Sequence, residues 1–241
     1  MINLKEREWR WWSQHGEDGV IRTINEVIPP QYKTFVEIGA HFHEANCLRL
    51  QQSEHWSGVY FDDFHEFHPL RFYKAWITAE NINAYLSQIP FATSLDILSL
   101  DIDGNDFYVW NALQSKFYPR ITIVEANCFF KADEDKVIVY DPSFRWDGSS
   151  WWGCSALAWC NLLRPRGYSL LYIESTGANM FFVKKELIPE DTFEHVDDLE
   201  FLLSQVTPPV YKLDTLNRSF ITTEEAITLR RKADKILVSE I

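Results

Sequence analysis

Residues Asp96–Trp110 read DILSLDIDGNDFYVW, passing from buried-looking apolar chain through an acidic turn into a helix. Ile97, Leu98 and Leu100 form a short apolar run of the kind that fills a strand buried on both faces. Asp101, Asp103, Gly104, Asn105 and Asp106 end that run, and Phe107, Trp110 and Leu113 then recur at helical spacing. Open α/β sheets build ligand sites from this succession, because the polar turn lies beyond the carboxyl end of the strand. The same acidic residues could do no more than cap the following helix. Three carboxylates in one turn exceed what a cap needs, and burying them calls for a cation or for hydrogen-bond donors.

On the amino-terminal side, Thr34–Gly39 (TFVEIG) reads as a buried strand ending in Glu37, with Gly39 allowing a tight turn and a close approach to the backbone. Val59, Tyr60 and Phe61 predict a second strand ending in Asp62 and Asp63. An acid about twenty residues beyond a glycine turn, at the next strand tip, is the usual acceptor for ribose hydroxyls in nucleoside-binding folds. Trp76–Thr78 predict a short third strand with Glu80 and Asn81 at its tip, and Ile82, Tyr85, Leu86 and Ile89 the helix after it. On the carboxyl side, Ile121–Glu125 (ITIVE) predicts a fifth strand with Glu125 and Asn127 at its tip. Tyr168–Ile173 and Met180–Val183 are too close together for a crossover and predict an antiparallel hairpin. The expected fold is therefore α/β: a doubly wound, mainly parallel seven-stranded sheet closed by a carboxy-terminal antiparallel hairpin.

The remaining segments are expected to decorate that sheet. The first twelve residues carry Trp9, Trp11 and Trp12 and predict an amphipathic segment that docks on the domain or covers a site. SQHGEDG, Ser13–Gly19, leads into a helix whose apolar face is Val20, Ile21, Ile24, Val27 and Ile28, stopped by Pro29 and Pro30. An irregular stretch at about 128–152 holds Tyr140, Asp141, Pro142, Phe144, Trp146, Trp151 and Trp152, and predicts a lid or binding loop. A helix from about Cys154 to Leu163 follows it. Residues 1–188 are expected to form one domain, and 189–241 a helical extension packed on it, its last helix patterned by Ala226, Ile227, Ala233, Ile236 and Leu237.

Composition excludes several classes of function. The 241 residues are 46% hydrophobic and 24% charged, as in a globular chain. A net charge of −12 without a basic stripe argues against a nucleic-acid partner. No apolar run approaches the ~20 residues that span a bilayer, so no membrane partner is expected. The opening MINLKEREWRWW lacks the pattern of a secretory signal, and Cys47, Cys128, Cys154 and Cys160 show neither CxxC spacing nor a disulfide framework. A cytoplasmic location with reduced thiols is the expectation.

Taken together, SQHGEDG, VEIGA, GVYFDD, DILSLDIDGND, ITIVEAN, YDP, GCSALAW, GY and NMFFV resemble the FkbM-type methyltransferases over about Ser13 to Val183. The resemblance implies a Rossmann-like class I methyltransferase fold and S-adenosylmethionine as cofactor. It implies that Glu37, Gly39 and Ala40 lie at the methionine end of the cofactor and that Gln14 also contacts the cofactor. Asp62 would then accept from the ribose hydroxyls, Glu80 and Asn81 would lie near the adenine, and Asp101 beside the methionine amino group or the reacting centre. Many methyltransferases continue the first motif as E-x-G-x-G-x-G, whereas this chain has His41 and His43 in the later glycine places. Those imidazoles are candidates for a general base, with Asp103 and Glu125 as further catalytic candidates, or they hydrogen-bond backbone within a tight turn. His65 and His68 read as surface residues.

Asp101, Asp103, Glu125 and Asn127 together form an oxygen-only ligand set suited to Mg²⁺, Mn²⁺ or Ca²⁺. The alternative leaves these groups to bind cofactor and acceptor directly. The expected activity is methyl transfer to a small-molecule acceptor, most readily a hydroxyl oxygen. A cofactor-binding scaffold without catalysis, or an enzyme that uses S-adenosylmethionine for other chemistry, are the alternatives.

Overall fold

A computed structural model describes residues 1–64 and 66–239, with side chains in the last helix described as far as Lys232. His65, and the helix positions Ala233, Ile236 and Leu237, therefore lie outside the described residues or side chains. Five parallel strands, β1 (Thr34–Ile38), β2 (Ser57–Asp62), β3 (Phe72–Lys74), β4 (Ile97–Leu100) and β5 (Ile121–Glu125), form one side and the centre of the sheet. The two-residue strand β6 (Val137–Ile138) stands apart, and β7 (Tyr168–Ile173) and β8 (Asn179–Lys184) are the hairpin. The sheet order is β3-β2-β1-β4-β5-β8-β7, with β8 antiparallel to both its neighbours. A seven-stranded, mainly parallel α/β sheet is thus what the apolar runs specify. Strands β1, β4 and β5 are buried along their whole length, as parallel strands covered on both faces must be.

The expectation for the third strand is corrected. The strand is Phe72–Lys74, and Trp76–Thr78 is irregular chain beyond its end. Phe72 decides this, because its fully buried ring stacks on Tyr60 of β2 at 4.0 Å between centroids. Trp76, by contrast, is 36% exposed.

Helix α1 (Glu17–Val27) lays Val20, Ile21 and Ile24 against the core. Asp18 ties the tryptophan-rich amino terminus to it, since one carboxylate oxygen accepts from the backbone N–H of Trp11, Trp12 and Ser13 at 2.7–2.8 Å. Helices α2 (Leu48–Glu54), α3 (Ile82–Ser87) and α4 (Asp106–Asn111) are short. Helix α5 (Ala156–Leu163) is capped by the Ser155 hydroxyl, which accepts from the Ala158 N–H at 3.2 Å. Helices α6 (Leu199–Ser204) and α7 (Thr223–Ser239) follow the hairpin, as expected. The segment after residue 188 also contributes a strand, β9 (Phe220–Ile221), which pairs with β6 inside the 128–152 insertion. Residues 189–239 are thereby knitted into the loops above the sheet. Among the described residues no helix is long and apolar enough to cross a membrane.

Candidate functional site

Chain order reverses between β1 and β4, and the crevice beyond the carboxyl ends of those strands is where open α/β sheets bind ligands. Gly39 sits at this point with φ 86°, and a side-chain carbon there would fall 1.3 Å from the Asp101 carbonyl oxygen. Only glycine fits. Two cavities open here, of about 440 Å³ and 250 Å³, and they share Ile38, Gly39, His41, Asp101 and Asp103.

The smaller cavity lies over β2 and β3. Asp62 and Asp63 line it with Phe64, Trp76, Ile77 and Phe144. Asp62 is buried, and its Oδ1 accepts from the Phe64 N–H at 2.6 Å, which fixes the turn after β2. The insertion forms the roof: Phe144 lies over Gly104, and the Arg145 guanidinium pairs with Asp63 and stacks on Trp76 at 4.3 Å from the ring centre.

The larger cavity is acidic on its floor and aromatic on one wall. Glu37, Asp101, Asp103 and Glu125 come from the tips of β1, β4 and β5, while Trp146, Trp152 and Tyr211 face them. Tyr211 meets Trp146 edge-on at 5.5 Å and Trp152 at 6.1 Å. Both Glu37 oxygens accept backbone N–H groups, of Asn46 at 2.7 Å and Cys47 at 2.8 Å, so this residue holds the loop into α2. Burial nevertheless pushes its carboxyl up to about 7. Asp106 does the same for the turn after β4, accepting from Ile102 at 2.7 Å and Gly104 at 2.9 Å, and burial raises it too to about 7.

Asp101, Asp103 and Glu125 have no such support. One oxygen from each lies within 4.8 Å of the others. Burial first, then the neighbouring charges of Asp103 and Asp106, push Asp101 well above the usual carboxylate range. Burial and then the neighbouring charge of Asp101 do the same to Glu125. Among the described residues neither cavity is lined by a lysine or an arginine.

The sequence-predicted residues fall into two groups. Gln14, Glu37, Gly39, His41, Asp101, Asp103 and Glu125 line the larger cavity, and Asp62 the smaller. Ala40, His43, Glu80, Asn81 and Asn127 line neither. Glu80 accepts from the Tyr140 hydroxyl at 2.6 Å and pairs with Arg230; these contacts overcome its partial burial and hold it at about 2. Asn81 closes its own turn, accepting from the Thr78 N–H and donating to the Trp76 carbonyl, both at 2.8 Å. The Asn127 side-chain NH₂ donates to the carbonyls of Ser150 and Trp152 at 3.1 Å and so braces the insertion, while its Oδ1 accepts from the Phe129 N–H at 3.4 Å. His15, Asn46, Thr176, Asn179 and Tyr211 line the larger cavity without having been singled out. Asn179 begins β8, where a hairpin strand meeting the site was detectable; Tyr211 comes from irregular chain with no local pattern at all.

No protein-family model, curated protein or solved structure matches this chain.

Proposed function

We propose that the cleft binds S-adenosylmethionine and that the protein transfers its methyl group to a small acceptor, most readily a hydroxyl oxygen. The observation that carries this reading is the charge of the cleft. A phosphate-bearing nucleotide placed at this switch point would face several carboxylates, while Arg145 in the roof is already paired with Asp63 and no lysine or arginine among the described residues lines either cavity. A nucleoside carrying a sulfonium and an ammonium group matches the same walls. The resemblance of the strand-tip motifs to FkbM-type methyltransferases supports the same ligand.

When bound, the cofactor supplies a methyl group that is already electrophilic, so the protein's work is alignment and proton removal. In this reading the smaller cavity takes the adenosine, with Asp62 accepting from the ribose hydroxyls. Gly39 lets the ligand lie against the backbone, and Gln14 offers a neutral donor to the methionine carboxylate. Trp146, Trp152 and Tyr211 wall the acceptor and exclude water. His41 lines both cavities and takes the acceptor's proton; His43 does not reach them.

Calorimetry with S-adenosylmethionine and S-adenosylhomocysteine tests the reading directly. Both should bind, and Asp62→Ala should weaken each by about 10- to 100-fold, the loss of a charge-assisted hydrogen-bond pair. Absence of binding by either compound would sink the proposal, and unchanged affinity in the variant would move the ribose away from Asp62.

A further inference from the structure

We infer that Asp101, Asp103 and Glu125 form a binding site for one hard divalent cation, of the Mg²⁺, Mn²⁺ or Ca²⁺ class, at the floor of the larger cavity. Two oxygens bound to one such ion at ~2.1–2.5 Å lie at most about 4–5 Å apart. The three carboxylates present oxygens within 4.8 Å of one another, drawn from two adjacent strand tips and the turn between β4 and α4. Every ligand is oxygen, which selects against zinc and other softer metals.

Acidic side chains crowd together on many protein surfaces without holding an ion, but Glu125 is not on the surface. It is 8% exposed, and its Oε2 is buried without a hydrogen-bond partner among the described residues. An unpartnered carboxylate oxygen in that position is a standing energetic penalty unless a cation meets it. Positive charge is scarce there: no lysine or arginine among the described residues lines the cavity, which leaves the imidazoles of His15 and His41. Three carboxylates supply the charged ligands, fewer than the six or more oxygens such an ion takes, and leave the remaining positions open. Open positions suit an ion that keeps waters or takes oxygens from a substrate. The aromatic wall of Trp146, Trp152 and Tyr211 faces those positions across the same cavity. The ion's task, holding the acceptor oxygen beside the methyl donor, rests on the proposed methyl transfer; its binding does not.

The test is binding of Mn²⁺ to the metal-stripped full chain, followed by loss of the free-ion paramagnetic signal, with Mg²⁺ and Ca²⁺ as competitors. One equivalent should bind per chain. Asp103→Asn and Glu125→Gln should each weaken it by at least about tenfold, since each removes one ligand charge and keeps the size. Glu26→Gln, on an exposed helix face, should leave it unchanged and so controls for general charge. Because Asp103 is exposed, its variant serves even if Glu125→Gln disturbs folding. No saturable binding by about 10 mM, beyond the weak end of protein calcium sites, overturns the inference. So does binding that both variants leave intact. Calorimetry with S-adenosylmethionine on the same stripped protein separates failure of this site from failure of the cofactor reading.

Discussion

The two ends of strands β4 and β5 handle acidic groups in opposite ways. Just before β4, Asp96 is fully buried and saturated: it accepts from the backbone N–H of Gln31, Tyr32 and Lys33 at 2.6–2.9 Å and from Arg120 Nε at 2.7 Å. Arg120 precedes β5 and also donates to the Ile28 carbonyl at 3.0 Å. At the carboxyl ends of the same strands stand Asp101 and Glu125, with each other and Asp103 for company. The first end is a clamp that holds the loop between α1 and β1 to the sheet. The second gathers carboxylates to which no backbone N–H or arginine among the described residues is seen to donate. Burial alone does not separate a structural carboxylate from a ligand-binding one; the supply of donors does.

Removing one partner of the clamp should have the largest effect. Asp96→Ala or Arg120→Ala leaves a buried charge unpaired and should lower stability by about 3–5 kcal/mol in urea unfolding. A loss below about 1 kcal/mol would erase the contrast. A pH series comes next. Burial pushes Glu37 and Asp106 up to about 7 in the folded protein, above the ordinary carboxylate range that holds in the unfolded chain. A raised folded value means that stability is fully present at low pH and is lost as pH rises through the folded value. Thermal unfolding of the ligand- and metal-free protein should therefore fall in midpoint between pH 5 and pH 8. A midpoint that rises over that window would mean the carboxyl end is better neutralised than its geometry indicates. The smallest effect is expected from Glu125→Gln, which should leave the ligand-free protein as stable or raise it by up to about 1 kcal/mol, by removing one of several crowded charges. A marked loss there would place Glu125 with Asp96 as scaffold.

The sequence does not distinguish these two kinds of acid. Asp96 and Asp101 flank one apolar run, and the partner that saturates the first, Arg120, is twenty-four residues away along the chain. What is legible is position: a carboxylate near the carboxyl end of a buried strand lies at the mouth of the crevice above the sheet, as Glu37, Asp62, Asp101 and Glu125 do. The misplaced third strand shows the limit of the pattern. An edge strand of three residues with one buried side chain has no period to detect, and the stack of Phe72 on Tyr60 exists only once the sheet forms. Glu80, Asn81 and Asn127 show another limit, since nothing local announces that their polar groups will be consumed by Arg230, by a turn or by the insertion. The aromatic wall depends on Tyr211, brought from beyond the hairpin by contacts no window of sequence contains.

The place of β8 has a consequence for how the chain is made. Strand β8 lies between β5 and β7, yet it is synthesised after both. From the moment β5 leaves the ribosome until β8 follows, the β5 edge has no partner, although every residue of the strand is buried in the folded protein. At ~5–20 residues per second that interval lasts several seconds, long against the microseconds in which a hairpin closes. An unpaired apolar edge is a template for another chain. Newly made protein should thus be most vulnerable to aggregation when truncated between Glu125 and Asn179, and the late hairpin is the step that ends the danger.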